Sequence, residues 1–154
     1  MKTLKVQLFV GVTIWASVSC MFCNAQADSK PLKARQEWRG RVKDADWRKV
    51  VPNLHKSKET TVGYIVDAKA WEKVWKAWRG KADLPKVDFE KELVLVATTR
   101  GDGTTMEPAL NDKGDLTVAV SSAAGGGGGG FSYHIMTIKR DGVKAVEGKP
   151  LPSR

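Results

Sequence analysis

The sequence predicts an α+β domain: a mainly antiparallel β-sheet, able to curl towards a barrel, with one tryptophan-rich amphipathic helix packed on it. Three observations carry this. About six or seven short β-branched or aromatic runs are separated by turn residues, a single run has helical periodicity, and their order is not an alternating βαβ series. No internal repeat of solenoid length appears.

The elements follow in order. After a polar leader over 28–35, "QEWRGRV" (Gln36 to Val42) reads as a first strand, opening a single globular domain over 36–154. "DADWRKVVP" reads as one helical turn capped by Asp44 or Asp46 and stopped at Pro52, and "TTVGYIV" (Thr60 to Val66) as a strand. In "DAKAWEKVWKAWRG" the residues Trp71, Val74, Trp75 and Trp78 fall at i, i+3, i+4 and i+7, which makes one apolar stripe. Asp67 is placed to accept the orphan amides of the first turn, and Gly80 to supply the left-handed stop. "LVLVATT" (Leu93 to Thr99) is apolar on both alternating faces, as a strand covered on both sides must be. "MEPAL" and "DLTVAVS" flank "NDKG" as a hairpin, with Pro108 pushing its strand to an edge because proline cannot donate to a ladder. "FSYHIMTIKR" and "VKAVE" flank Asp141-Gly142, a second hairpin signal.

The N-terminus reads as a cleaved signal peptide over 1–27. Lys2 and Lys5 make a basic start, Leu8 to Phe22 is apolar or small, and Ala25-Gln26-Ala27 is an A-x-A site that leaves Asp28 as the first mature residue. A lipid anchor at Cys20 is disfavoured because Ser17 stands where leucine is expected, and the apolar run is shorter than the ~20 residues of a span. The mature chain is therefore expected to be exported, periplasmic or extracellular, with no stable membrane insertion. Cys20 and Cys23 both leave with the segment, so no disulfide, thiol nucleophile or cysteine ligand is expected. Of 26 Lys and Arg, removal of Lys2 and Lys5 leaves 24 against 17 Asp and Glu, a net charge of +7. The charges are interspersed, as in "RGRVKDADWRKV", which fits a solvated surface rather than a nucleic-acid footprint.

Six consecutive glycines, Gly125, Gly126, Gly127, Gly128, Gly129 and Gly130, precede a strand and not a helix, and no G-K-[ST] follows. A phosphate-cradling loop needs both. The run reads as a loose sheet-edge loop and as the candidate interaction loop, since six glycines lose much entropy on ordering.

Few residues nominate catalysis. His134 alternates with Ser132, Met136 and Ile138 on one strand face and reads as a structural or surface residue; His55 lies in a charged loop. No G-x-S-x-G elbow, H-E-x-x-H zinc motif or complete EF-hand loop occurs, and Glu90/Glu92 and Asp44/Asp46 are commonplace acidic pairs. "NDKGD" and "RGDGT" are explained by turn chemistry, and Arg100-Gly101-Asp102 by chance. No catalytic residue, metal or cofactor is expected. Trp71, Trp75 and Trp78 are spaced to enter the core, whereas Trp38 and Trp47 are open to a carbohydrate-stacking role.

"AWEKVWKAW", "LPKVDFEKELVLVA", "GDLTVAV" and "FSYHIMTIK" together resemble the C-terminal domain family named for PrcB, an accessory subunit of a secreted bacterial protease complex. The likeness runs from about Tyr64 to Lys139. The family's glycine-aromatic segment is replaced by "RGDGTTMEP", and its proline before the tyrosine by Ser132. The resemblance implies an exported, non-enzymatic domain that assists or binds another exported protein, such as a protease; an exposed edge strand and the glycine loop are the expected contact region, by strand addition or loop ordering. A module for envelope glycan or anionic polymer is the alternative, and a small hydrolase built on His134 a third.

Overall fold

In the computed structural model the described residues are 29–53, 55–56, 60–125 and 129–153, without the side chains of Ala45, Trp47, His55 and Lys56. The strand that is apolar on both faces lies at the centre. β5 (Glu92–Thr99) is buried along its whole length, with β4 (Thr60–Ile65) and β8 (Phe131–Lys139) antiparallel on either side. β3 (His55–Lys56) extends this sheet beyond β4, and β2 (Gln36–Val42) extends it beyond β8. A second sheet has the order β1-β6-β7-β9-β10, built from β1 (Lys30–Pro31), β6 (Thr104–Leu110), β7 (Asp115–Ser122), β9 (Ala145–Val146) and β10 (Lys149–Pro150).

Alternation along β5 explains the layering. Val94 and Val96 face a core shared with the helix, whereas Leu93, Leu95 and Ala97 face a core shared with Met106, Leu116 and Val118 of the second sheet. The molecule is thus helix on sheet on sheet, and the sheets do not close into a barrel.

The helix is α1 (Ala68–Arg79). Asp67 Oδ1 accepts the Ala70 N–H at 2.8 Å, and Gly80 ends the helix at φ 59° while donating to Lys76 C=O at 3.0 Å. Trp71, Val74, Trp75 and Trp78 are buried, as the stripe requires. The indole N–H groups of Trp71 and Trp75 donate to Pro85 and Ala82 C=O, each at 3.0 Å. These bonds draw the connecting segment after Gly80 back alongside the helix, satisfying polar atoms that would be costly to bury unpaired. A short 3-10 helix (Ala45–Val50) takes Asp44, not Asp46, as its cap.

Four expectations are corrected. Asp141-Gly142 forms a turn, with Gly142 at φ 76°, but the segments on its two sides do not pair with each other. The chain leaves β8 and crosses to the other sheet, where β9 pairs in parallel with β7 and antiparallel with β10. The leader is partly built into the fold, since β1 pairs with Ala109 and Leu110 and Leu32 packs on the inter-sheet core. Pro108 is not on the outermost strand, but Leu32 N–H donates to its C=O at 2.9 Å, so its missing N–H faces β1 and costs β7 nothing. The strands that flank the glycine run, β7 and β8, lie in different sheets and so are not neighbours along one sheet edge.

Candidate functional site

Among the described residues β2 is the outermost strand of the central sheet, paired only with β8, from Gln36↔Thr137 to Val42↔Phe131. Gln36 N–H donates to Thr137 Oγ1 and so points at β8. Backbone alternation then directs the N–H and C=O of Trp38, Gly40 and Val42 inward and those of Glu37, Arg39 and Arg41 outward. Arg79 Nη1 lies 3.5 Å from the Arg39 C=O, in keeping with that direction.

The side chains of β2 divide as sharply. Trp38 and Val42 join the helix-side core, with Trp38 ring centroids 5.6 Å from Trp71 and 5.2 Å from Trp75. Trp38 is therefore packed into the core and does not offer the open face of a stacking platform; the Trp47 side chain lies outside the described residues. Glu37, Arg39 and Arg41 occupy the other, exposed face. Gly40 is required where it is: the Tyr133 ring fills the space of a side chain, its Cζ 2.7 Å from where a Cβ would stand. The Tyr133 hydroxyl meets Arg79 Nη1 at 3.2 Å.

Between this face and the start of the second sheet lies a cleft of about 580 Å³. Arg39 and Arg41 form one wall, and Asp102, Thr104, Thr105, Ser121 and Ser122 the other. Arg41 pairs with Asp102 across the mouth, and Arg39 Nη2 pairs with Glu37 Oε1 at 2.6 Å. The turn bearing Asp102 is tied down from both sheets. Ser132 Oγ donates to Gly101 C=O at 2.6 Å, and the Thr99 and Thr104 hydroxyls are 2.8 Å apart. Thr105 and Ser121 hydroxyls meet at 2.5 Å on the far wall.

His134 stands in the seam behind the cleft. It is 1% exposed, and its Nδ1 accepts the Met106 N–H at 3.0 Å, which places the neutral ring's proton on Nε2. This bond joins β8 to the outward side of β6, where none of the described strands covers Met106. Nε2 lies 3.1 Å from Glu37 Oε1, near enough for charge attraction but outside hydrogen-bonding geometry. Burial, with the positive charge of Arg39, holds the His134 pKa below 6.5, and Glu37 opposes the shift. The ring is not poised to activate a serine: Nδ1 is occupied by a backbone amide, and Ser132 is committed to Gly101.

Elsewhere the sequence-predicted residues fall as follows. Ala25, Ala27 and Asp28 lie outside the described residues, as do Gly126, Gly127 and Gly128. Gly125 abuts the Asp102 carboxylate, Gly130 packs on the backbone of Val42 and Lys43, and no described residue lies within 4 Å of where a Gly129 Cβ would stand. Gly125 thus stands at the acidic end of the cleft, and Gly130, which leads into β8, stands beside the end of β2. Asn111 Oδ1 accepts from Lys113 and Asp115 N–H, each at 3.0 Å, so "NDKGD" is turn chemistry. Among the described residues no group of three His, Cys, Asp or Glu is placed to hold a metal, and no helix is long and apolar enough to cross a membrane. Sequence reasoning missed the cleft. Its signals were Gly40 interrupting a strand and the charges at every second position of "EWRGR".

No family, curated protein or solved structure matches the chain.

Proposed function

We propose that this chain is an exported protein-interaction domain that receives an extended segment of another protein as an added strand on β2. The observation that carries the reading is the open outer edge of β2, with the backbone groups of Glu37, Arg39 and Arg41 turned away from β8 and a side-chain cleft beside them. Strand addition uses such an edge: main-chain hydrogen bonds supply affinity, and pockets for alternate side chains supply selectivity. The targeting segment before Asp28 supports export, and the likeness to PrcB-like domains makes an exported protease the partner class to test first.

The test compares the tagged chain starting at Asp28 with its Glu37→Pro variant as bait in envelope and medium fractions. Proline at 37 removes an outward N–H and leaves the inward ladder to β8 in place. A protein retained by the first bait and lost by the second is the expected result. Equal capture by both, or capture of polysaccharide alone, would contradict the reading.

A further inference from the structure

We infer that the segment received at β2 is acidic, carrying Asp or Glu at alternate positions, an inference that rests on the strand-addition reading. Guanidinium groups flank the open edge on both faces. Arg39 and Arg41 stand on the cleft side, and Arg79 reaches the Arg39 C=O from the helix side while lying over the Trp75 ring at 5.2 Å. A strand laid along this edge would place every second side chain in the cleft, beside Arg39, Arg41 and the hydroxyls of Thr105 and Ser121.

The carboxylates already there indicate what the arginines accept. Glu37 and Asp102 pair with Arg39 and Arg41, yet all four side chains are 40–55% exposed. Exposed pairs of this kind contribute little and exchange readily for an equivalent partner. An incoming carboxylate therefore replaces an internal one at small cost, while its main chain gains the edge groups of Glu37 and Arg41 and takes the Arg39 C=O from Arg79. A mature chain of net charge +7 favours the acidic partner at longer range as well.

The probes are three capped ten-residue peptides, alternating Thr with Glu, Ser or Lys, titrated into the isotope-labelled chain from Asp28 at low salt. Shifts of the Glu37, Arg39 and Arg41 amides report the site. The Glu peptide is expected to bind about tenfold tighter than the Ser peptide, an advantage that shrinks on raising salt and vanishes in the Arg39→Gln/Arg41→Gln variant. Backbone N-methylation of the Glu peptide is expected to abolish binding. Equal binding of Glu and Ser peptides at these amides would overturn the charge inference and leave strand addition standing. Absence of β2 shifts with every peptide would overturn both. A dimer protecting these amides without peptide would name a second copy as the occupant and overturn the acidic segment.

Discussion

Replacing His134 with leucine separates what the seam contributes from what its titration contributes. Leucine fills the buried site but cannot accept the Met106 N–H, which the imidazole meets at 3.0 Å between the two sheets. An orphaned buried amide costs about 1–3 kcal/mol, which at roughly 4 °C per kcal/mol for a chain of this size lowers the melting temperature by ~4–12 °C at pH 8. The pH dependence changes as well. Above pH 6.5 the ring is neutral in the folded and unfolded chain alike, so the wild type has its full stability there. Below 6.5 the unfolded chain takes up a proton that burial and Arg39 make the folded chain resist, and stability falls until the depressed folded pKa is passed. His134→Leu removes that slope, so its deficit is largest at pH 8 and narrows towards pH 5. His134→Asn, whose amide oxygen can replace the acceptor, is expected to recover part of the loss while also lacking the slope. Thermal melts followed by circular dichroism between pH 5 and 8, with His55→Gln as control, provide the assay. A leucine variant as stable as wild type at pH 8, or one with an undiminished His-range slope, would refute the reasoning.

Other expectations concern the layers that position β2. Trp75→Ala should cost about 3–5 kcal/mol in urea unfolding, because Trp75 is buried against Trp38 and Trp71 at centroid distances of 5.2 and 5.0 Å. Gly40→Val should cost about 1–3 kcal/mol, since its side chain must displace the Tyr133 ring; an unchanged denaturation midpoint would show that the ring has room to move. Asp67→Ala should remove about 1 kcal/mol by freeing the Ala70 amide, read from the same unfolding curves.

Local signals carried much of the fold. Trp71, Val74, Trp75 and Trp78, bounded by Asp67 and Gly80, specify a helix and its buried face because every cue lies within fourteen residues. The unbroken apolar run of β5 likewise required cover on both faces, and the helix and second sheet provide it. Which sheet each strand joins was not legible. The turn at Asp141-Gly142 is local, but the strand that receives β9 is β7, set by packing at a distance. The cleft is less local still. Arg41 and Asp102 are 61 positions apart, and His134 finds its donor 28 positions away. No window of sequence contains such pairs, so the charges of "EWRGR" looked like ordinary solvated surface. The possible curl towards a barrel does not close, for a related reason: β6 meets β8 through a side-chain bond, Met106 N–H to His134 Nδ1, and not through a backbone ladder.

Amide hydrogen exchange along β2 tests the central claim most directly. In the free chain, Trp38, Gly40 and Val42 should exchange slowly behind β8, while Glu37, Arg39 and Arg41 exchange fast from the open edge. With a captured partner bound, those three amides should become protected. Protection of Glu37, Arg39 and Arg41 already in the free monomer, or fast exchange persisting in the complex, would contradict strand addition at β2.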